Sequence, residues 1–128
     1  MEMPSILKYI FLIHFIVSII FGVLFFLSPE FYRDLTAWPF FDPTTGRVMG
    51  SGFLAFAITS LFGYMATSWE EVRIIVLGEI VFTLFSLVAM VWMMAVYATI
   101  PLLAGVFNTS LFAIFFILFL YSYYIATR

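Results

Sequence analysis

Two residues that can exchange protons lie within long apolar stretches of this sequence. His14 lies in "SILKYIFLIHFIVSIIFGVLFFL", and Glu79 lies in "VRIIVLGEIVFTLFSLVAMVWMM". An ionisable side chain in such a stretch costs roughly 3 kcal/mol to insert into a membrane, so it usually faces the interior of a helix bundle. A histidine and a carboxylate that meet there can hold and release a proton. These two residues are therefore the first candidates for chemistry.

The composition predicts that lipid surrounds the elements that carry these residues. Apolar residues make up 66% of the 128 residues and charged residues only 9%, whereas soluble domains carry about 25% charged residues. The absence of cysteine excludes disulfides, thiol catalysis and cysteine-based metal sites. The net charge of -2 gives no indication of nucleic-acid binding.

Four apolar segments occupy about residues 5–27, 46–67, 69–98 and 102–126. Each is long enough for a helix to cross the ~30 Å of hydrocarbon in a bilayer. Because unpaired backbone groups are costly in lipid, helices are expected throughout. The sequence therefore predicts an all-α, integral membrane four-helix bundle that forms a single domain over residues 1–128. Asp42 is expected to cap the second helix ahead of Pro43, and Ser68 with Glu71 matches a capping box at the start of the third.

The longest connection reads "SPEFYRDLTAWPFFDPTT" and also carries a helix start signal, at Ser28. Phe31, Leu35 and Trp38 would share one face of a helix. This spacing predicts a short interfacial helix between helices 1 and 2, lying among the lipid headgroups. An ordinary loop with interfacial aromatic residues is the alternative.

His14 and Glu79 are expected at nearly the same depth. His14 lies eight residues after Ile6, and Glu79 lies seven residues after Val72. With a rise of 1.5 Å per residue, the two depths are ~12 Å and ~10 Å from the same side of the membrane. The two side chains can thus meet on neighbouring helices.

Hydroxyl residues surround both positions at helical spacing. The predicted buried polar cluster comprises Glu79, His14, Thr83, Ser86, Ser18 and Ser60. One interpretation is that the cluster only holds the helices in register. The other is a proton-titrating site that couples proton movement to the transport of a small or lipophilic substrate.

Small residues predict where the second helix packs, because close backbone approach drives helix association in lipid. They are Ser51, Ala55, Thr59, Gly63 and Thr67 at a spacing of four, with Gly46 and Gly50 as a GxxxG motif. Packing within one chain is the favoured interpretation, and the seam of a homodimer is the alternative.

Charged and aromatic residues at the helix ends indicate the interfaces and the orientation. Arg47 is expected to lie at the interface with Asp42 and Trp38, and to pair with Asp42, Asp34 or a lipid phosphate. Basic residues are slightly more numerous on the side of the two termini, at Lys8, Arg73 and Arg128. The positive-inside rule then predicts that both termini are cytoplasmic.

The sequence contains no motif that indicates an enzyme or a cofactor. With a single histidine and no cysteine, no zinc motif, phosphate-binding loop or serine–histidine–aspartate set can be assembled. We therefore expect no catalytic residues, no metal and no cofactor. Asn108 lies within an apolar segment and is expected to donate an interhelical hydrogen bond.

The two stretches "DPTTGRVMGSGFLAFAITSLFGYMA" and "WEEVRIIVLGEIVFTLFSLVAMVW" resemble uncharacterised small four-helix membrane proteins of prokaryotes, loosely DoxX-like. The resemblance rests on Asp42–Pro43, Arg47, Gly50, Trp69, Arg73 and Glu79. It implies a four-helix bundle in a prokaryotic plasma membrane.

These patterns favour a small integral membrane protein without its own catalysis, acting as a structural or accessory component of a membrane assembly. Its expected partners are membrane lipids, with other membrane subunits or further copies of the chain as additional candidates. The alternative is a proton-coupled small transporter that uses Glu79 and His14. A membrane enzyme acting on lipids, with the loop around Trp38 as a lid, is the least favoured interpretation.

Overall fold

A computed structural model describes residues 2–128 and contains five helices over that range. They are α1 (Ser5–Leu27), α2 (Pro29–Thr36), α3 (Pro43–Met65), α4 (Trp69–Val96) and α5 (Leu102–Ala126). All except α2 are long and apolar enough to cross a membrane. The predicted all-α bundle with a short helix between the first two long helices is confirmed.

The helix ends show how local sequence sets the boundaries. The Asp42 carboxylate accepts hydrogen bonds from the backbone N–H groups of Thr44 and Thr45, each at 3.2 Å, so α3 begins at Pro43, ahead of the apolar segment placed from Gly46. Ser68 forms no capping hydrogen bond to the backbone; its hydroxyl donates to the Glu71 carboxylate at 2.9 Å instead. The predicted capping box is therefore only partly formed.

Helix α2 differs from its predicted form at its C-terminal end. Ala37 adopts a left-handed conformation with φ of 54°, which ends the helix before Trp38. Phe31 and Leu35 are 55% and 70% exposed, and the buried side chains are those of Pro29 and Tyr32. The apolar face is thus shorter than predicted: it points away from the bundle, towards the lipid expected there, and Trp38 does not belong to it.

Helices α1 and α3 pack closely because glycines remove side chains from their contact. A Cβ atom on Gly50 would lie 2.5 Å from the backbone N of Phe26, and one on Gly63 would lie 2.7 Å from the Phe11 ring. Ala57 and Ser60 on the same face are fully buried. Gly46 and Gly50 therefore pack within the chain, as the favoured interpretation expected.

The predicted row of small residues at spacing four does not form one packing face, although its member Gly63 is buried against Phe11. Ser51 and Ala55 are exposed, and Thr59 is half-buried with its hydroxyl bonded to the Phe56 carbonyl at 3.1 Å. Each step of four residues turns ~40° beyond a full helical turn, so Ser51 and Gly63 lie ~120° apart around the helix. They cannot share one packing face.

The four long helices form two pairs, α1 with α3 and α4 with α5, with few contacts between the pairs. The pairs meet at the end that holds the two termini, where one apolar cluster fills the interior. We call this end the closed half; its buried residues are Met3, Leu7, Ile10, Phe11, Ala66, Trp69, Val72, Val76, Phe115, Phe119 and Ala126. Towards α2 the pairs diverge, and we call that end the open half.

Candidate functional site

The open half contains a cavity of about 890 Å³ between the two helix pairs. Polar side chains lie at its two ends. His14, Ser18, Thr83 and Ser86 lie at the base, next to the closed half, while Tyr32, Arg33, Asp42, Thr45 and Asn108 lie towards α2. The wall between them is apolar. The cavity thus has the composition expected of a small-molecule site, with an apolar wall and a few grouped polar atoms.

Aromatic side chains dominate the wall of this cavity. Eleven of them line it: Phe21, Phe25, Tyr32, Trp38, Phe40, Phe41, Phe53, Phe56, Phe82, Phe112 and Phe115. Several contact one another, including Phe56 and Phe82, whose ring centroids lie 4.6 Å apart. Contacts of this kind between rings on neighbouring helices support the wall.

His14 is positioned at the base of the cavity by three polar neighbours. Its Nδ1 lies 2.7 Å from the Ser60 hydroxyl on α3. Its Nε2 lies 3.3 Å from the Ser18 hydroxyl and 3.5 Å from Oε2 of Glu79 on α4. The Phe115 ring meets the imidazole edge-on, with a centroid separation of 4.6 Å. Contacts with α1, α3, α4 and α5 therefore hold this ring in place.

Glu79 is fully buried behind His14. Within the described part of the chain, neither of its carboxylate oxygens has a hydrogen-bond partner, and the ionisable group that contacts it is His14. A lone charge in this apolar setting is costly. One proton held between the two groups gives the pair a net charge of zero, either as imidazolium with carboxylate or as imidazole with carboxylic acid. We call His14 and Glu79 the proton-bearing pair.

The other members of the predicted cluster take different places. Ser18 and Ser60 contact His14 directly. Thr83 is buried, but its hydroxyl donates to the backbone carbonyl of Glu79 at 2.6 Å rather than to the carboxylate. Ser86 is half-buried and lines the cavity further from the pair. The structure thus brings Ser18, Ser60 and the proton-bearing pair together, with Thr83 and Ser86 extending along the cavity wall.

Two contacts connect α2 and the segment after it to α4 and α5 at the open end. The Tyr32 hydroxyl on α2 donates to Oδ1 of Asn108 on α5 at 2.6 Å, so Asn108 forms an interhelical bond but accepts it, whereas the prediction made it the donor. Burial raises the pKa of Tyr32, opposed by the bond to Asn108, so the hydroxyl keeps its proton around neutral pH. The rings of Phe40 and Tyr97 meet with centroids 4.9 Å apart. At these two contacts, residues from the two sides of the cavity meet at its end nearest α2.

The interfacial charges pair differently from the prediction. Arg47 lies 3.6 Å from Glu30, not beside Asp42 or Asp34. Asp34 pairs with Arg33 at 2.7 Å, and Asp42 is held by Thr44 and Thr45. The reason is that α2 packs against the start of α3, which carries Glu30 towards Arg47. The Thr45 hydroxyl and the backbone N–H groups lower the pKa of Asp42.

The cavity is the feature that the sequence did not indicate. Its lining phenylalanines follow the same helical spacing as those that face outwards, so the pattern alone could not separate them. Three or more histidine, cysteine, aspartate or glutamate side chains do not meet anywhere in residues 2–128. The expected lack of a metal, a cofactor and catalytic residues stays a prediction.

Comparisons with protein-family models, with curated proteins and with solved structures found no match. The resemblance to DoxX-like proteins therefore stays a prediction from residues 42–92.

Proposed function

We propose that this membrane protein binds a lipophilic small molecule in the cavity and couples its movement to a proton on the proton-bearing pair. The observation that carries the proposal is that an aromatic cavity ends on His14, whose imidazole contacts the buried Glu79 carboxylate at 3.5 Å. A pair needed only for packing would require no adjoining cavity of this size.

The dimensions of the cavity support binding of a small molecule. About 890 Å³ falls within the range of ~300–1,000 Å³ that is typical of ligand pockets. The apolar wall would take up the lipophilic body of the ligand. The polar groups at the base would orient its polar end beside His14.

The position of His14 supports coupling between the ligand and the proton. His14 lines the cavity, whereas Glu79 lies behind it and is fully buried. A ligand at the base therefore changes the electrostatic field at the pair without direct contact with the acid. In a low-dielectric interior such a field acts strongly, because water does not screen it.

The arrangement of the helices supports movement of the ligand across the membrane. Few contacts join the α1–α3 pair to the α4–α5 pair, so one pair can rock against the other. The Tyr32–Asn108 bond and the Phe40–Tyr97 contact would open on one side, and the closed half would open on the other. With the protein in a prokaryotic plasma membrane, as the resemblance implies, and the termini in the cytoplasm, as the charge distribution predicts, the ligand would reach the open half from outside.

The accessory role that the sequence favoured stays a prediction. The exposed apolar side chains of all four long helices fit a lipid surround and leave room for membrane subunits or further copies of the chain. The proposal of transport takes precedence because the cavity and the proton-bearing pair adjoin.

The proposal is tested by measuring lumen pH in proteoliposomes loaded with a pH-sensitive dye. The probes are tetraphenylphosphonium, tetraphenylborate and triphenylphosphine oxide, which all carry phenyl rings on a central atom but differ in charge, with protein-free liposomes as the blank. At least one probe should change the lumen pH through the wild-type protein, and Glu79→Gln should abolish the change. Glu71→Gln, the same substitution at an exposed position of α4, is the matched control and should retain it.

Two results would overturn the proposal. If Glu79→Gln keeps the full change in lumen pH and only lowers the melting temperature, the pair serves packing alone. If no probe changes the lumen pH through the folded wild-type protein, the transport role fails.

A further inference from the structure

We infer that the ligand is a lipophilic cation, which enters the cavity in exchange for the proton of the proton-bearing pair. This inference rests on the proposed function and specifies the charge of the substrate. It is carried by the charges and the aromatic side chains that line the cavity.

The wall of the cavity favours a cation over an anion. Aromatic ring faces carry negative electrostatic potential, and a cation placed over one is stabilised by about 0.5–2 kcal/mol, most strongly where water is excluded. Eleven aromatic side chains surround this cavity. A lipophilic cation can therefore replace much of its hydration with ring faces.

Fixed positive charge is scarce along the cavity. Of the described residues that line it, Arg33 is the one with a permanent positive charge. Its guanidinium group is already engaged by Asp34 at 2.7 Å and by the Phe41 ring at 4.5 Å. Arg33 also lies towards α2, far along the cavity from His14. An anion would thus find no permanently charged cation at the base, where the His14 imidazole already contacts the Glu79 carboxylate at 3.5 Å.

The groups that surround the proton-bearing pair show that Glu79 is the residue that can balance the charge of a bound cation. Helix α3 faces the pair with Ser60, and α5 faces it with Phe115 and Phe119, none of which titrates in the accessible range. The other titratable groups that line the cavity are Tyr32, Arg33 and Asp42, at its opposite end. Near the base, the negative charge available to balance a cation is therefore the Glu79 carboxylate.

The exchange conserves the charge of the site. Before binding, the pair holds one proton and has no net charge. When a monovalent cation reaches the base, that proton passes from the pair to water, leaving neutral imidazole and the Glu79 carboxylate. The carboxylate then balances the cation. One proton leaves for each cation that enters, and the reverse exchange releases the cation.

The experiment measures binding of the three probes to the full-length protein in detergent by equilibrium dialysis, with protein-free micelles as the blank. Tetraphenylphosphonium should bind at least tenfold more tightly than tetraphenylborate or triphenylphosphine oxide. In weakly buffered solution, its binding should release about one proton per cation, so its affinity should rise about tenfold per pH unit over the range of release.

Variants identify the residue that releases the proton when the cation binds. Glu79→Gln should bind tetraphenylphosphonium without proton release and without the pH dependence. Glu71→Gln should behave as the wild type. Where Glu79→Gln does not fold, His14→Gln leaves Glu79 as the proton-binding group at the base, so binding of the cation should still release about one proton, and loss of that release would overturn Glu79 as the compensating charge.

The outcomes separate this inference from the proposed function. Tighter or equal binding of tetraphenylborate or triphenylphosphine oxide overturns the assignment of a cation, while the proposed binding of lipophilic molecules survives. Binding of the cation without proton release from the wild type overturns the exchange. No saturable binding of any probe to the folded protein overturns both.

Discussion

The closed and open halves are built from the same four helices and similar residues, yet one is filled and the other is hollow. In the closed half, Leu7, Phe11, Val76 and Phe119 have no exposed surface and belong to one cluster formed by α1, α4 and α5. The Phe11 ring also packs against Gly63 of α3. In the open half, Gly50 keeps α1 close to α3, and Gly46 lets Pro29 of α2 approach α3. Ring contacts such as that of Phe56 with Phe82 join α3 to α4 there, but the space between the two helix pairs is not filled.

This difference shows that apolar composition alone does not close a bundle in a membrane. Lipid is as apolar as the side chains, so helices approach only where shape or hydrogen bonding favours it. Phenylalanines that interlock in the closed half become the wall of a cavity once the helices diverge. The proton-bearing pair lies at this boundary, with Phe119 on one side and the cavity on the other.

The largest expected effect on stability comes from removing a buried side chain from the closed half. Phe119→Ala removes a fully buried ring that contacts Phe11, so we expect the free energy of unfolding to fall by about 3 to 5 kcal/mol. Phe112→Ala in the open half removes a half-buried ring beside the cavity and should lower it by clearly less. Thermal unfolding in detergent measures both. Equal losses would contradict the distinction between the halves.

A smaller effect is expected from separating α1 from α3. The methyl group of Gly50→Ala would meet the backbone of Phe26, and such overpacking costs about 1 to 3 kcal/mol. Gly52→Ala is the matched control, because nothing lies within 4 Å of its Cβ position. The comparison is made by melting temperature, and a loss in Gly52→Ala as large as that in Gly50→Ala would refute this packing.

A modest effect is expected at the outer end of the cavity. Tyr32→Phe removes the hydrogen bond to Asn108, at a cost of about 1 kcal/mol. Because that bond joins α2 to α5 alone, hydrogen exchange should quicken in α2 and near Asn108 but not in the closed half. Mass spectrometry of exchanged peptides measures this. Unchanged hydrogen exchange in α2 would show that the Tyr32–Asn108 bond does not stabilise the outer end of the cavity.

The smallest effect is expected from the exposed cap of α3. Hydrogen bonds from Thr45 and Thr44 lower the pKa of Asp42 in the folded protein. The cap therefore contributes its full stability above the unfolded value of about 3.9, and that contribution is lost as the pH falls through the folded value. Melting temperatures measured from pH 6 to pH 3 should decline slightly less for Asp42→Ala than for the wild type. Identical declines would mean that the cap adds no stability.

Much of the fold could be predicted from regular features of the sequence, such as segment length and residue spacing. Segment length gave the four long helices, because the hydrophobic thickness of a membrane fixes the number of apolar residues. Counting residues placed His14 level with Glu79, since the rise of a helix is constant. The start signal at Ser28 and Pro29 indicated α2.

The remaining features depend on how the helices are rotated and tilted relative to one another. The spacing of residues along the chain does not encode these angles. The row from Ser51 to Thr67 was wrong because a spacing of four drifts around the helix. The partner of Arg47 was wrong because the direction of α2 decides which acid lies near it. The cavity could not be predicted, because the divergence of two helix pairs depends on the packing of both ends at once.

The central claim is that the open half is a ligand site with the proton-bearing pair at its base. Native mass spectrometry of the protein incubated with tetraphenylphosphonium tests it most directly. The wild type and Ala55→Phe, which adds a ring on the exposed surface of α3, should each carry one bound probe. Ser86→Phe, which fills the cavity wall, should lose it. A complex retained in Ser86→Phe, or absent from the folded wild type, would contradict the account.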